Sequence, residues 1–267
     1  PGADERAAEV AVPSASAKGR ALRAIAPLGR VSPALRIRLA SAAFDADAAR
    51  ALSAPAAGEA LMGFNGTSLS QLRAARAGGR PSALVSATVH ARVLVRMHQR
   101  AYARDPLERP WSPGILARNL REYELADTIY VSSRLAWESF VAEGVAEERL
   151  RLFPLTPAER YGPDPAAVNP PSTFDVVFVG GLTVDKGAPV LVQAVRRLNH
   201  ADLRLRLIGG WKTPGMRRFI ESATSEDSRI SVGAADPLPV LRSASLYVHP
   251  AWSDGFGYAP AEAMACG

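Results

Sequence analysis

The sequence predicts an α/β protein built on doubly wound parallel sheet, and three features carry that expectation. Beyond residue 173, short apolar runs alternate regularly with segments of helical spacing. Runs such as Phe174–Val179 are continuously apolar, the pattern of strands covered on both faces. Several of them end in glycines, at the carboxyl ends where an open α/β sheet leaves its ligand crevice.

Residues 1–60 are rich in Ala and Arg, with Ala34–Ala43 and Asp45–Leu52 reading as helices punctuated by Pro27, Pro33 and Pro55. Ala60–Phe64 is a short strand that ends in Asn65-Gly66, and Ser68–Ala77 follows with helical spacing. Ser82–Val89 is the next strand and stops at His90. A helix over Ile115–Ala126 leads into the strand Thr128–Val131, after which Ser132-Ser133 can start another helix. Leu150–Phe153 makes one more strand. The proline-rich stretch Pro154–Pro171 then reads as a stiff linker, with a boundary at Pro165–Pro171 that divides the chain into domains 1–165 and 166–267. Past it come the strand Phe174–Val179, helix Ala188–Leu198, strand Leu203–Ile208, helix Met216–Ala223 and strand Ile230–Val232. A short helix Pro237–Arg242, the strand Leu246–His249 and a helix starting over Pro260–Ala265 complete the pattern.

Composition narrows the function classes. Apolar residues make up 48% and charged ones 22%, so the chain can build real cores. There is no apolar run of about 18 residues, the least a membrane-spanning helix needs. The opening PGADERAAEV has neither the basic nor the apolar region of a secretory leader. It also lacks an initiator Met, so the natural start is expected upstream. The single cysteine, Cys266, suits a reducing cytoplasm. The net charge is +6, and the excess lies early: 22 Lys and Arg against 17 Asp and Glu up to Pro170, 10 against 9 beyond. Arg92, Arg96, Arg100 and Arg104 would line one face of a helix. A solvated face is the favoured account of that row; contact with an anionic acceptor, or peripheral contact with an anionic membrane at its inner face, is the alternative. Nucleic-acid binding is not expected, since no interleaved aromatics or known module accompany the charge.

Three strand ends carry the candidate chemistry. After Phe178-Val179, Gly180 and Gly181 let the backbone approach a ligand, and Lys186 sets a cation beside the next helix's positive end, which suits phosphate. A tight turn with a solvated lysine would look the same. The spacing is neither the dinucleotide fingerprint nor a P-loop. Gly209-Gly210-Trp211 ends the second strand, as a ligand approach or as a plain capping turn. The third end holds Asp254 and Glu262, separated by a loop containing Gly255, Phe256 and Gly257. Two carboxylates so placed can bracket a polyhydroxylated ligand, and the intervening N–H groups with the helix start can take a diphosphate. Glu262 in a first helical turn would also be ordinary helix electrostatics.

The segment DGFGYAPAEAMACG resembles the carboxylate–seven residues–glutamate signature of family 4 retaining glycosyltransferases. VGGLTVDKG resembles that family's V-G-R-L-x-x-x-K-G loop, and LRLRLIGG its donor-domain strand. GFNGTSLSQLRAARAGGR, the strand ending at His90, and ADTIYVSSRLAWESF are similar to parts of its acceptor domain, so the likeness runs over residues 60–267. The resemblance implies the GT-B fold: two Rossmann-like domains, acceptor-side over 1–165 and nucleotide-sugar-binding over 166–267. It implies that Lys186 neutralises the donor diphosphate, that Glu262 holds the ribose hydroxyls and that Asp254 contacts the donor sugar. Gly180, Gly181, Gly209, Gly255, Phe256 and Gly257 would line the donor site, with His90 near the transferred sugar. Two departures stand out: Gly181 replaces a phosphate-binding arginine, and Asp254 is one methylene shorter than the family's glutamate. Both domains are expected to be incomplete, because about six strands are usual in such a domain.

The function expected is transfer of a sugar from a nucleotide diphosphate sugar to a hydroxyl of a glycan, lipid or small-molecule acceptor, with retained anomeric configuration. No resident cofactor and no metal are expected, since a lysine with a helix N-terminus can neutralise a diphosphate. The rivals are an epimerase or phosphorylase on the same fold, and a homologue that binds nucleotide sugar without turning it over.

Overall fold

A computed structural model describes residues 33–52, 60–164, 173–198 and 200–267. Pro27, Pro55 and the boundary expected at Pro165–Pro171 lie outside those residues. The described residues divide into two compact units, those up to Val85 with Ala117–Ile129, and Ser86–Leu116 with the described residues of Tyr130–Gly267.

In chain order the first half carries α1 (Pro33–Ala51), β1 (Leu61–Phe64), α2 (Leu69–Ala77), β2 (Ser82–Ser86) and α3 (Ala91–Arg104). A 3-10 turn at Ser112–Gly114 precedes α4 (Leu116–Leu125), β3 (Thr128–Val131), α5 (Arg134–Ala142) and β4 (Leu150–Leu152). These strands form a four-stranded parallel sheet in the order β1-β2-β3-β4. The two helices expected near the start are one, because nothing between Ala43 and Asp45 breaks helical geometry. The β2 strand stops at Ser86, three residues earlier than expected, because the chain turns there towards the start of α3.

In the first unit, two buried carboxylates organise the turn after β1. Glu122 accepts from Asn65 Nδ2 and the Ser68 N–H, each at 2.9 Å, and from the Gly66 N–H. Asp45 accepts the N–H groups of Ser70 and Gln71 at 2.7 and 3.1 Å, which supplies the start of α2 with the acceptors that its cap residue Ser68 does not provide. Arg118 bonds both carboxylates and offsets part of their charge. Asp45-Ala46-Asp47 forms an Asp-x-Asp triplet. Here Asp45 serves α2, while Asp47 pairs with Arg50 at 2.8 Å.

The second half carries β5 (Phe174–Val179), α6 (Ala188–Arg197), β6 (Leu203–Ile208), α7 (Pro214–Glu226), β7 (Ile230–Gly233), α8 (Pro237–Arg242), β8 (Leu246–Tyr247) and α9 (Tyr258–Ala265). Its parallel sheet runs β7-β6-β5-β8. Successive residues of β5 serve opposite faces. Val176 and Phe178 pack with Leu191, Val195, Met216 and Ile220 of α6 and α7, and Val177 packs with Val240, Leu241 and Cys266. Both faces are covered, which is why the strand shows no polar alternation. Ala101 and Tyr102 of α3 join the first of these cores.

The arginine row does lie on the exposed side of α3. Arg92 and Arg96 both face Glu143, and Arg104 lies 3.7 Å from Asp105, so the face is partly neutralised. No helix among the described residues is long and apolar enough to cross a membrane.

Candidate active site

Strand order locates the crevice. From β5 the chain builds outward through β6 to β7, then returns to place β8 on the other side of β5. The reversal lies between β5 and β8, so the loops leaving their carboxyl ends, residues 180–187 and 248–257, flank the ligand position of a doubly wound sheet.

Those loops meet through an ion pair. Lys186 Nζ donates to Asp254 Oδ2 at 2.8 Å. His249 Nε2 lies 3.0 Å from the same oxygen, and the Gly255 N–H donates to Oδ1 at 2.9 Å. Tyr247 Oη lies 3.1 Å from His249 Nδ1. Burial, with the charges of Asp254 and Glu262, pushes the Tyr247 phenol up, so it keeps its proton and donates to Nδ1. His249 then presents Nε2–H to Asp254. Burial alone would raise the Asp254 carboxyl. The hydrogen bonds from His249 and Lys186, the lysine charge and the Gly255 N–H outweigh it and hold the group well below the usual carboxylate range. The side chains of Lys186 and Asp254 keep 31% and 33% of their exposure, so the pair is open to a ligand.

Backbone contacts bring the loops this close. A Cβ on Gly209 would sit 1.9 Å from the Gly180 carbonyl oxygen, and one on Gly187, at φ 75°, would sit 2.1 Å from that of Pro250. Only glycine fits either place. Gly181 differs: a Cβ there would meet nothing nearer than the Thr183 methyl at 3.9 Å, so the fold does not demand glycine at that position. Helices α6 and α9 begin at Gly187 and Gly257, neither with a side-chain cap. Helices α3, α5, α7 and α8, by contrast, are capped by His90, Ser133, Thr213 and Asp236. Both starts turn a positive helix end to the reversal, although at α6 the Gly187 and Ala188 N–H groups donate to the Val184 and Thr183 carbonyls and Pro189 has none.

Glu262 was expected in a first helical turn. Gly257, at φ 82°, starts α9 at Tyr258, two residues earlier than expected, which moves half-buried Glu262 to the second turn. Phe256 packs edge-on against Tyr258, ring centroids 5.3 Å apart. His90 caps α3: its Nδ1 accepts the Arg92 N–H at 3.3 Å, its own N–H donates to Ser139 Oγ at 2.8 Å, and its ring meets Phe140 edge-on. The structure joins Lys186 to Asp254 directly, whereas the turn that leads to His90 reaches the loop through Gly255, which lies against the Ala87 carbonyl. Tyr247 and His249 carried no expectation; a histidine that ends a strand just before Pro250 is the signal that marks them.

Burial holds the His90 imidazole down to about 4 from 6.5, with Glu143 acting upward and Arg92 and Arg96 downward. An unfolded chain binds this proton more readily. The contribution to stability is therefore intact above pH 6.5 and lost as pH falls through about 4, on the order of 3 kcal/mol in all. His90→Asn keeps a capping side chain and should melt with a shallower acid slope over that window. Equal slopes in both proteins would exclude His90 as the source.

Residues 173–267 match the family described as Glyco_trans_1_4, glycosyl transferases group 1. The chain is 34% identical over 107 residues to a D-inositol 3-phosphate glycosyltransferase of Pseudarthrobacter chlorophenolicus, across 36% of this chain and 26% of that protein. Among solved structures, Anabaena HepE in complex with UDP matches with a TM-score of 0.60 at 15% identity, over 83% of this chain and 60% of that one. Sucrose-phosphate synthase of Thermosynechococcus elongatus matches at 0.61 and 20% identity, over 88% and 59%. The chain thus spans about a quarter of the curated relative's length. The fold is that of the GT-B glycosyltransferases.

Proposed function

We propose that this chain, whose residues 173–267 form a glycosyl transferases group 1 domain, moves a sugar from a nucleotide diphosphate sugar to a hydroxyl acceptor with retained configuration. One observation carries the reading. At the reversal between β5 and β8, a single lysine meets a single open carboxylate between two helix starts that no side chain caps. A diphosphate supplies the charge that Lys186 and the positive ends of those helices call for.

In this reading Lys186 turns from Asp254 to the diphosphate. Asp254 stays ionised, because His249 and the Gly255 N–H still bond it, and it accepts hydroxyls of the donor sugar. Glu262 accepts the ribose hydroxyls. As the bond to the anomeric carbon breaks, the leaving diphosphate gains charge that Lys186 and the starts of α6 and α9 stabilise without reorganising. His90, neutral at physiological pH, sits on the acceptor side of the transferred sugar. The acceptor hydroxyl loses its proton as its oxygen bonds the anomeric carbon, and the departing phosphate oxygen is the base that takes it. The UDP held by the Anabaena neighbour fits a nucleoside diphosphate here.

A panel of nucleotide sugars tests this. At least one should raise the melting temperature by mass action and yield a product of retained configuration with a hydroxyl acceptor. Glu262→Gln should weaken that nucleotide's binding while leaving the melting temperature of the free protein unchanged. If Glu262→Gln destabilises the protein and spares affinity, Glu262 serves the helix and not the ribose. If no nucleotide sugar binds, the whole reading fails.

A further inference from the structure

Asp185, the residue before Lys186, is buried, so its carboxylate must be satisfied from within. Tyr102 Oη donates to its Oδ1 at 3.0 Å, and His98 Nε2 lies 4.0 Å from its Oδ2. The same His98 nitrogen lies 3.3 Å from Ser253 Oγ, beside Asp254. One wholly buried imidazole thus meets the chain neighbours of both members of the Lys186–Asp254 pair. The Asp185 carbonyl accepts the Trp252 N–H at 2.9 Å, which ties the two loops again. Just past α3, Glu108 accepts the Val184 N–H and the Thr213 hydroxyl, each at 2.8 Å.

The chemistry of these groups suits holding. Burial, with the charges of Asp185 and Glu108, keeps the proton on Tyr102, which can therefore only donate to Asp185. Burial lowers His98 more than Asp185 raises it, so the ring is neutral with one N–H. Its Nδ1 has no hydrogen-bond partner among the described residues, and both acceptors face Nε2, so the proton lies there. Both side chains come from α3, outside the matched residues 173–267.

We infer that Tyr102 and His98 are positioning residues: through Asp185 and Ser253 they fix where Lys186 and Asp254 point, so the donor site depends on a helix from the other half of the sequence. The inference rests on Lys186 being the diphosphate ligand. Tyr102→Phe removes one hydroxyl and keeps the ring in its core. Titration calorimetry with UDP, GDP and ADP should show about tenfold weaker binding of whichever the parent takes, the low end for a hydrogen bond to a charged group. In a Lys186→Ala background the same substitution should change affinity less than about twofold, since a residue acting through Lys186 has nothing left to place. A merely structural tyrosine would lower the melting temperature alike in both backgrounds, and its affinity penalties would multiply.

Multiplying penalties, or a Tyr102→Phe chain that binds like the parent, overturn the inference while Lys186 keeps its role. A Lys186→Ala chain that binds like the parent, or a parent that binds none of the three, overturns the phosphate reading and the inference with it. Should Tyr102→Phe not fold, Asp185→Asn, which removes the charge at nearly constant shape, carries the same comparison.

Discussion

Replacing Lys186 by Ala is expected to weaken nucleoside-diphosphate binding roughly 10- to 150-fold, the loss of one charged hydrogen bond of about 1.5–3 kcal/mol. Two features put the effect this high. In the proposed site Lys186 is the one cation, with Gly181 in the same loop bringing none, and the helix starts offer dipoles without a full charge. Stability should hardly respond. The Lys186–Asp254 pair is about one-third exposed on each side, and such pairs contribute about 0–1 kcal/mol. Asp254 also keeps His249 and the Gly255 N–H when the lysine is gone. The expected result is a large calorimetric loss at an almost constant melting temperature. Unchanged affinity would remove Lys186 from the diphosphate site.

Gly255→Ala should destabilise the protein by about 1–3 kcal/mol or more, as overpacking does, and should also lower donor affinity. A Cβ there would lie 1.7 Å from the Ala87 carbonyl oxygen and 3.0 Å from the Thr88 Cα. Both obstacles are backbone, so no rotamer change relieves the clash and one of the two loops must move. Asp254, whose Oδ1 is bonded by the Gly255 N–H, moves with it. Gly210→Ala is the control, since a Cβ there finds nothing within 4 Å. Thermal melts of the pair decide the matter: a Gly255→Ala protein that melts with the parent would show that the close approach does not exist in solution.

The parallel sheets and the strand-end loops were legible because their signals are local. Phe174–Val179 is continuously apolar for the reason the structure shows, alternate residues filling two cores. Gly187 and Gly209 mark close approaches that only glycine allows, and Gly180, at φ 144°, a backbone angle that favours it. Lys186 and Asp254 were read from their own loops, 68 residues apart in sequence, and the switch of strand order brings them together. His98 and Tyr102 were not legible as site residues. One turn apart on the buried face of α3, among Leu94, Val95 and Ala101, they look like ordinary core. Nothing in their spacing tells that they face Asp185 and Ser253. Glu108 sits in an irregular loop with no periodicity to betray its two partners. The early start of α9 is not legible in the sequence because Pro260 resembles a first helical residue, whereas the backbone of Gly257 sets the start.

The route of α3 into the second unit has a consequence for how the chain is made. His98 meets Ser253 across 155 residues of sequence, and Glu108 meets Thr213 across 105. Closing such long loops costs entropy before any contact rewards it, so topologies rich in them fold slowly. During synthesis α3 leaves the ribosome well before β5, β6 and the loop after β8 exist to cover it. At about 5–20 residues per second, the roughly 150 residues between α3 and Ser253 take about 7–30 s to make, and for that time the face carrying His98, Ala101 and Tyr102 lacks these partners. For that interval the nascent chain presents an apolar helix to its surroundings. Chaperones are therefore expected to engage it between the emergence of α3 and that of Ser253.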